Sequence, residues 1–484
     1  MSDENIQIYD VIVLGAGPVG ENVADRTSAA GLSTVIVESE LVGGECSYWA
    51  CEPSKALLRP ALLYTQAARF PGVATAVTGP LDARAVLKHR DRMVADWNDR
   101  GQVEWLESVG IELIRGHGRL DGVKQVTVRT PDGGTVRLRA RHAVAVCTGT
   151  RAALPPLPGI EALRPWTSRE ATSAPEVPRR LAILGAGVVA VEMATAWRAL
   201  GAEVILIARE SRLLGRVESF AADLVADRLR EAGVELRFDS GIVTAARAGG
   251  PDDGVCLSLY DGTRIVVDEL LFATGRAPRT DDIGLETVDV TSGEWLTTDD
   301  SFTVTAVQGE WLYAVGDVNR RALLTHQGKY QARIAGAVIA ERASGRDLDA
   351  SQWGPHTGIA DRVAVPQVVF TDPEIAAVGR TTDDAAQQGL TVEIVDYDLG
   401  RVAGALQHDP DYRGRARILI DPQRGTIVGA TFVGAGVAEL LHSATIAITG
   451  EIPLDRLWHA VPAFPTISEV WLRLVETYRD QRAQ

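Results

Sequence analysis

The chain has 484 residues, too many for one compact domain, so two to four domains are expected. Apolar residues make up 46% and charged residues 23%, the proportions of an ordinary globular chain. A net charge of −15 and a pI near 5.1 argue against a nucleic-acid partner, whose phosphates demand basic patches.

The start, Met1-Ser2-Asp3-Glu4-Asn5, is acidic and lacks the basic and apolar stretches of a signal peptide. No run approaches the roughly 18 uninterrupted apolar residues of a membrane span. A cytoplasmic chain with no membrane partner is therefore expected. The cysteines are Cys46, Cys51, Cys147 and Cys256, too few for a secreted disulfide scaffold. In the cytosol, paired cysteines are more often catalytic or metal-binding.

Residues 9–14 (YDVIVL) form an apolar, β-branched run that predicts a buried parallel strand. Gly15-Ala16-Gly17-Pro18-Val19-Gly20 follows, then a helical stretch through Ala30 that Gly31 caps. Residues 34–37 predict a second strand that ends at Glu38. This is a βαβ unit with Gly-x-Gly-x-x-Gly at its first turn. Glu38 stands where an acid meets a ribose hydroxyl.

Next comes Gly43-Gly44-Glu45-Cys46-Ser47-Tyr48-Trp49-Ala50-Cys51-Glu52-Pro53-Ser54-Lys55. Two thiols beside a nucleotide fold point to a redox disulfide more than to a structural staple. A structural bridge or a pair of buried thiols remains open, whereas a zinc site lacks further Cys or His at ligand spacing. Five residues of straight α-helix rise about 7.5 Å, too far for the usual disulfide Cα spacing. A bridge therefore needs Cys46 at a distorted helix start, for which Gly43-Gly44 supplies the freedom. A helix N-terminus is expected to lower a thiol pKa there.

Residues 143–147 end a further strand before Thr148-Gly149-Thr150, and Pro155-Pro156-Leu157-Pro158-Gly159 reads as a linker. The nucleotide pattern then recurs: a strand at 181–184, Gly185-Ala186-Gly187-Val188-Val189-Ala190, a helix at 191–200, Gly201, and a strand at 204–207. One such glycine motif is weak evidence, but two, each with strand, helix and strand in place, are strong. Counting on from Gly185, Ala208 falls where an NAD site would carry an acid, and Arg209 and Arg212 follow. Arginine favours a 2′-phosphate that an acid would repel, which predicts NADPH over NADH. Residues 270–276 repeat the strand-then-Thr-Gly theme with Gly275, and residues 311–317 place Asp317 after Gly316 at a strand edge. From about Val363 alternating strands predict a final α+β domain. Cys147 and Cys256 lie in apolar runs and are expected in the core.

Together these residues resemble the FAD-dependent pyridine nucleotide–disulfide oxidoreductases, among them dihydrolipoamide dehydrogenase, glutathione reductase and mercuric reductase. The resemblance also takes in Phe370-Thr371-Asp372-Pro373-Glu374 and Pro465-Thr466-Ile467-Ser468-Glu469, and it covers nearly the whole chain. It implies an α/β fold with two Rossmann-like nucleotide-binding domains and a C-terminal α+β dimerisation domain. The boundaries it implies are 1–158 and 280–357 for FAD, 159–279 for NAD(P), and 358–484 for dimerisation as a homodimer. Gly15, Gly17, Gly20, Glu38, Thr148, Gly149, Gly316 and Asp317 would bind FAD. Gly185, Gly187, Ala190 and Gly275 would bind the nicotinamide nucleotide together with Arg209 and Arg212. Lys55 and Glu192 would pair beside the reactive flavin nitrogen. Cys51 would face the flavin, and Cys46 would exchange with a small-molecule electron acceptor.

One departure bears on function. Relatives that reduce disulfides carry a histidine just before Pro-Thr-x-x-Glu, oriented by that glutamate. Here the position is Phe464, which carries no proton, and Glu469 remains. Loss of a general acid–base costs ~10²–10⁴ in rate. The expected function is an NADPH-dependent FAD oxidoreductase with a redox-active Cys46–Cys51 pair and a disulfide or quinone-type acceptor. The alternatives are a dihydrolipoamide dehydrogenase-like or mercuric reductase-like enzyme, or a low-turnover redox sensor.

Overall fold

The computed structural model describes residues 6–247 and 253–483, so the acidic start at 1–5 lies outside it. The chain forms two units. One joins the chain up to Pro53 with Asp91–Arg151 and Arg276–Asp361; the other joins Ser54–Arg90, Ala152–Gly275 and the chain from Arg362.

The first unit is built on a parallel sheet in the order Glu112–Arg115, Thr34–Glu38, Ile6–Leu14, Thr135–Val146. Leu312–Ala314 also pairs in parallel with Thr135–Val146. Gln125–Arg129 and His117–Leu120 extend the sheet as antiparallel strands. The first strand starts at Ile6, earlier than its apolar run, and only its last four residues are fully buried. Successive side chains alternate between faces. Val11, Val13, Ile36 and Ala145 thus pack under the helices, whereas Ile12, Leu14, Val35 and Val144 fill the opposite core.

Two helices cover the first face, Pro18–Ala29 and Thr325–Ala343. Glycines let them approach closely. A Cβ on Gly328 would come 2.5 Å from Val19 Cγ2, and one on Gly336 would come 2.5 Å from Arg26 Cβ. Pro18 opens the first helix, where a missing N–H costs nothing, and Gly31 closes it at φ +85°.

The second unit holds a parallel sheet in the order Glu235–Arg237, Glu203–Ile207, Arg180–Leu184, Glu269–Phe272. Its nucleotide helix, Val188–Ala199, starts three residues earlier than the apolar pattern suggested. A three-stranded antiparallel sheet, Ile242–Arg247, Val255–Leu259 and Arg264–Val267, carries a correction. Cys256 is exposed on it, not in the core, because that strand buries only alternate residues; Cys147 is buried as expected. The C-terminal part is a five-stranded antiparallel sheet, in the order Gln367–Val369, Glu374–Gly379, Thr426–Gly434, Arg415–Asp421, Glu393–Asp398, flanked by the helix Val470–Ala483. This is the mixed α/β architecture the resemblance implies. Among the described residues no helix is long and apolar enough to cross a membrane.

Glu21, in the first turn of Pro18–Ala29, lines a cavity of about 340 Å³ with Asn22, Gly101, Gln102 and Trp105. Its Oε1 is buried without a partner, and burial first, then the charge of Glu38, push its pKa up to about 7 against the pull of Lys329. The folded state therefore holds this proton more tightly than the unfolded chain. Stability is full below the unfolded pKa and falls as pH rises from about 4.5 to 7. Glu21→Gln should match the parent at pH 4.5 and exceed it by roughly 1–3 kcal/mol at pH 8, read as denaturation midpoints at equal cofactor loading. An equal effect at both pH values would sink this account.

Candidate active site

In the first unit the Gly15–Gly20 turn is shaped by contacts that exclude side chains. Gly15 has φ +98°, and a Cβ there would lie 2.6 Å from the Cys147 carbonyl oxygen. A Cβ on Gly20 would lie 1.9 Å from the Gly15 oxygen, whereas the Cβ direction of Gly17 faces open space. Glu38 accepts the Ala16 N–H at 2.7 Å through Oε2 and the Glu40 N–H at 2.8 Å through Oε1. Each oxygen keeps a second lone pair.

Against this turn sits the cysteine segment. The Gly43 N–H donates to the Ala16 oxygen at 2.7 Å. Gly44 is left-handed at φ +56°, and a Cβ there would be 2.9 Å from Gly17 Cα. The short helix Gly44–Tyr48 carries Cys46 and stops at Trp49, whose φ of −137° is not helical. The helix Cys51–Arg69 then begins on the second cysteine. Tyr48 is buried, and its carbonyl accepts the Trp97 indole N–H at 3.1 Å.

Both thiols are unbonded to one another here. The Thr325 hydroxyl lies between them, donating to Cys46 Sγ at 3.2 Å and standing 3.3 Å from Cys51 Sγ. The expectation of a lowered thiol pKa fails at Cys46. Its hydrogen bond with Cys51 first, then burial, raise the Cys46 pKa, and the charge on Glu52 adds to this, while Thr325 pulls it down. Nothing in the sequence marked Thr325, which opens the helix Thr325–Ala343.

Asp317 is the third centre of this unit. Its Oδ2 accepts the Thr150 hydroxyl at 2.8 Å. Arg276 Nε donates to the same Thr150 hydroxyl at 2.9 Å, and Arg279 Nη2 reaches Glu45 Oε1 at 2.9 Å. Burial raises the Asp317 pKa, while Thr150 and Arg276 lower it. Gln331 holds the turn from beneath, its Oε1 accepting the Gly316 N–H at 2.7 Å and its amide donating to Asp361 at 3.0 Å. Thr148 Oγ1 is buried with no partner among the described residues, and Gly149 has φ +67° beside it.

In the second unit Lys55 Nζ is 2.9 Å from Glu192 Oε2. Glu192 is 5% exposed at the side chain and takes the Phe370 N–H at 3.0 Å through Oε1; Lys55 Nζ also stands 4.8 Å from the Phe370 ring centre. Gly185 has φ +136°, and a Cβ there would meet the Ala273 oxygen at 2.3 Å; Gly187 faces open space and Ala190 is buried. Gly275, at φ +130°, gives its carbonyl to the Ala153 N–H. Arg209 is exposed just past Glu203–Ile207. Arg212 instead donates to the Gly215 carbonyl at 3.2 Å and lies 3.4 Å from Asp383. Phe464 is 74% exposed. Glu469 is buried; Arg473 binds its Oε1 at 2.6 Å, and its Oε2 is buried without a partner. Among the described residues no group of three or more His, Cys, Asp or Glu gathers at metal-binding distance.

The profile of the pyridine nucleotide-disulphide oxidoreductases matches residues 9–341, and that of their dimerisation domain matches 365–475. The chain belongs to this family. It is 32% identical to dihydrolipoyl dehydrogenase 3 of Pseudomonas aeruginosa over 480 residues, 96% of either chain. It is 29% identical to the mercuric reductase of Shigella flexneri, covering 95% of this chain and 78% of that one. Among solved structures, a Cu(II) complex of the HOCl-induced flavoprotein disulfide reductase RclA from Escherichia coli superposes with a TM-score of 0.82 at 22% identity, over 97% of this chain and 99% of that one. LpdA from Mycobacterium tuberculosis gives 0.81 at 23%, with the same coverage, and these two likenesses speak for the fold. The protein is thus an enzyme, a flavin-dependent oxidoreductase of a family that uses FAD and a nicotinamide cofactor. Its dimerisation domain supports a homodimer.

Gly44→Ala tests how the cysteine segment is seated. A Cβ at a left-handed residue 2.9 Å from Gly17 Cα must displace one of the two loops. The variant should lose roughly 1–2 kcal/mol of stability and a measurable share of bound flavin, read from the flavin-to-protein absorbance ratio. Gly31→Ala, at a left-handed residue with open space around it, should cost stability without flavin.

Proposed function

We propose that the protein is an NADPH-dependent flavin oxidoreductase with a redox-active pair, Cys46 and Cys51, serving a small-molecule acceptor of the disulfide or quinone type. The observation that carries this reading is the helix break at Trp49, which gathers both sulfurs at one hydroxyl beside the first glycine turn. We assign residues 1–158 and 280–357 to FAD binding, 159–279 to NADPH binding and 358–484 to dimerisation.

The residues present fit FAD. Thr148 Oγ1 is a buried polar atom in want of a partner among the described residues, Asp317 is a buried carboxyl that can accept from a hydroxyl, and Gly17 leaves the helix start open to a pyrophosphate. Gly15, Gly20, Glu38, Gly149 and Gly316 complete that set. When bound, FAD supplies the hydride chemistry that couples a two-electron nucleotide to a dithiol. Lys55, held by Glu192, places a fixed positive charge on the same helix one turn beyond Cys51. Gly185, Gly187, Ala190 and Gly275 shape the nicotinamide nucleotide turn. Arg209, exposed and without an ion pair among the described residues, is available to a 2′-phosphate, whereas Arg212 is partly committed to Gly215, Val217 and Asp383.

Phe464 offers no proton, and Glu469 binds Arg473 instead of an imidazole. This favours acceptors whose leaving group needs no acid, such as a disulfide with an acidic thiol, or a quinone. It also gives a second reading some weight: a sensor that cycles its disulfide with little turnover.

Anaerobic titration with NADPH, and separately with NADH, tests the reading when the Cys46–Cys51 bond is scored by alkylation and mass spectrometry. NADPH should reduce both flavin and disulfide. A bleached flavin above an intact disulfide would end the case for disulfide exchange. Arg209→Glu should raise the KM for NADPH about tenfold and leave that for NADH nearly unchanged. Phe464→His should raise disulfide reduction by up to ~10²-fold if exchange is the task. Rapid acceptor turnover by the parent would exclude the sensor.

A further inference from the structure

The turn from Gly316 to Asn319 presents Asp317, and one atom holds it at both ends. Gln331 Oε1 accepts the Gly316 N–H at 2.7 Å and the Asn319 side-chain amide at 2.8 Å. The other end of the same amide, Nε2, donates to Asp361 Oδ2 at 3.0 Å. Asn319, Gln331 and Asp361 are all buried. A primary amide has a donor end and an acceptor end of nearly the same shape, so packing alone does not decide which way Gln331 faces. Its hydrogen-bond partners do. Two donors ask for its oxygen, and an ionised carboxylate, which can only accept, asks for its nitrogen.

The geometry points to Asp361 as a positioning residue of the flavin site: it fixes the direction of the Gln331 amide, and the amide fixes the turn from which Asp317 would hold FAD. Its effect passes through Gln331. A reversed amide would set N–H against N–H at Gly316 and at Asn319, and oxygen against oxygen at Asp361, where burial leaves no bulk water to make good the loss.

Three features support the assignment. Asp361 is itself held on both oxygens: Gln327 Nε2 donates to Oδ1 at 2.8 Å, and Arg321 Nε stands 3.4 Å from Oδ2. Arg321 is anchored in turn by Asp300 at 2.7 Å and the Asp299 carbonyl at 2.8 Å. Arg321 also closes a ring under the turn, because its backbone N–H donates to Asn319 Oδ1 at 3.0 Å and so orients that second amide. Lastly, the turn has little slack on its other side, where a Cβ on Gly316 would come 3.0 Å from Val19 Cγ2. Burial, with the charge of Asp300 added, pushes the Asp361 pKa up to about 6, while Arg321 first and then the two glutamines pull it down. At pH 8 the carboxyl is therefore ionised and acceptor-only.

The inference rests on the reading that Asp317 serves FAD, and its test separates the two. Holoenzyme at pH 8 is followed by flavin release on dilution, read by fluorescence, and by deuterium exchange of the peptide that contains Gly316. Asp361→Leu removes the acceptor and should speed both about tenfold. Gln331→Glu keeps an oxygen for Gly316 but sets a carboxylate against Asp361, and should also speed both about tenfold. Adding Asp361→Asn to Gln331→Glu gives that carboxylate a donor and should bring both rates back to within about threefold of the parent. A role for Gln331 as acceptor alone predicts no such rescue. Unchanged exchange in Asp361→Leu overturns the assignment. So does a double variant no better than Gln331→Glu, the comparison that decides if Asp361→Leu does not fold. Exchange that follows the pattern while flavin release stays constant overturns it as well. A parent protein that neither holds nor takes up FAD would overturn the flavin reading, while exchange in the same variants still decides whether Asp361 sets the turn.

Discussion

The spacing of the two thiols is the constraint on which the first unit turns. Five residues of unbroken helix would carry the sulfurs about 7.5 Å apart along the axis. The chain avoids this by making two helices in place of one, with Trp49 as the non-helical step between them. That break has to be supported from outside. Gly43 binds the first glycine turn through the Ala16 oxygen, and Gly44 packs on Gly17 with no room for a side chain. The same glycines that open the nucleotide turn thus seat the cysteines. The first glycine turn and the cysteine pair are fixed by one set of close backbone contacts.

A second set of contacts does comparable service in the other unit. Glu192 is almost wholly buried, and an isolated carboxylate there would be costly. Lys55 and the Phe370 N–H both satisfy it, so one side chain ties together the helix Cys51–Arg69, the nucleotide helix and the connection between the strands Gln367–Val369 and Glu374–Gly379 of the C-terminal sheet. A buried pair of this kind is weak evidence for stability and better evidence for a required geometry. Here it holds the ammonium group in one place.

The sheet architecture was legible in the sequence because buried parallel strands write continuous apolar runs, and because Gly15, Gly20 and Gly185 stand where any side chain would strike a carbonyl oxygen. The helix distortion between the cysteines was legible because a bridge between them would not tolerate five residues of straight helix. Thr325 was not legible. It lies 274 residues from Cys51, and a threonine opening a helix looks like any other. The roles of Thr150 and Arg276 were missed likewise, since Thr150 reaches Asp317 across 167 residues and Arg276 reaches Thr150 across 126; Gln331 lies only 15 residues from Gly316, but a glutamine inside a helix looks like any other. Cys256 was misjudged because its run, Val255–Leu259, reads as wholly apolar apart from one serine, although only alternate positions face the core.

The exposure of Cys256 has a consequence for stoichiometry. Cys147 is shut inside the protein, so a thiol reagent added to the native chain leaves it silent until the protein is unfolded. Cys256 answers in every redox state. One equivalent per chain is therefore a background that carries no information about the redox centre, and a second appears only under denaturant. The electron inventory of this protein is a difference between oxidised and reduced samples, never a total.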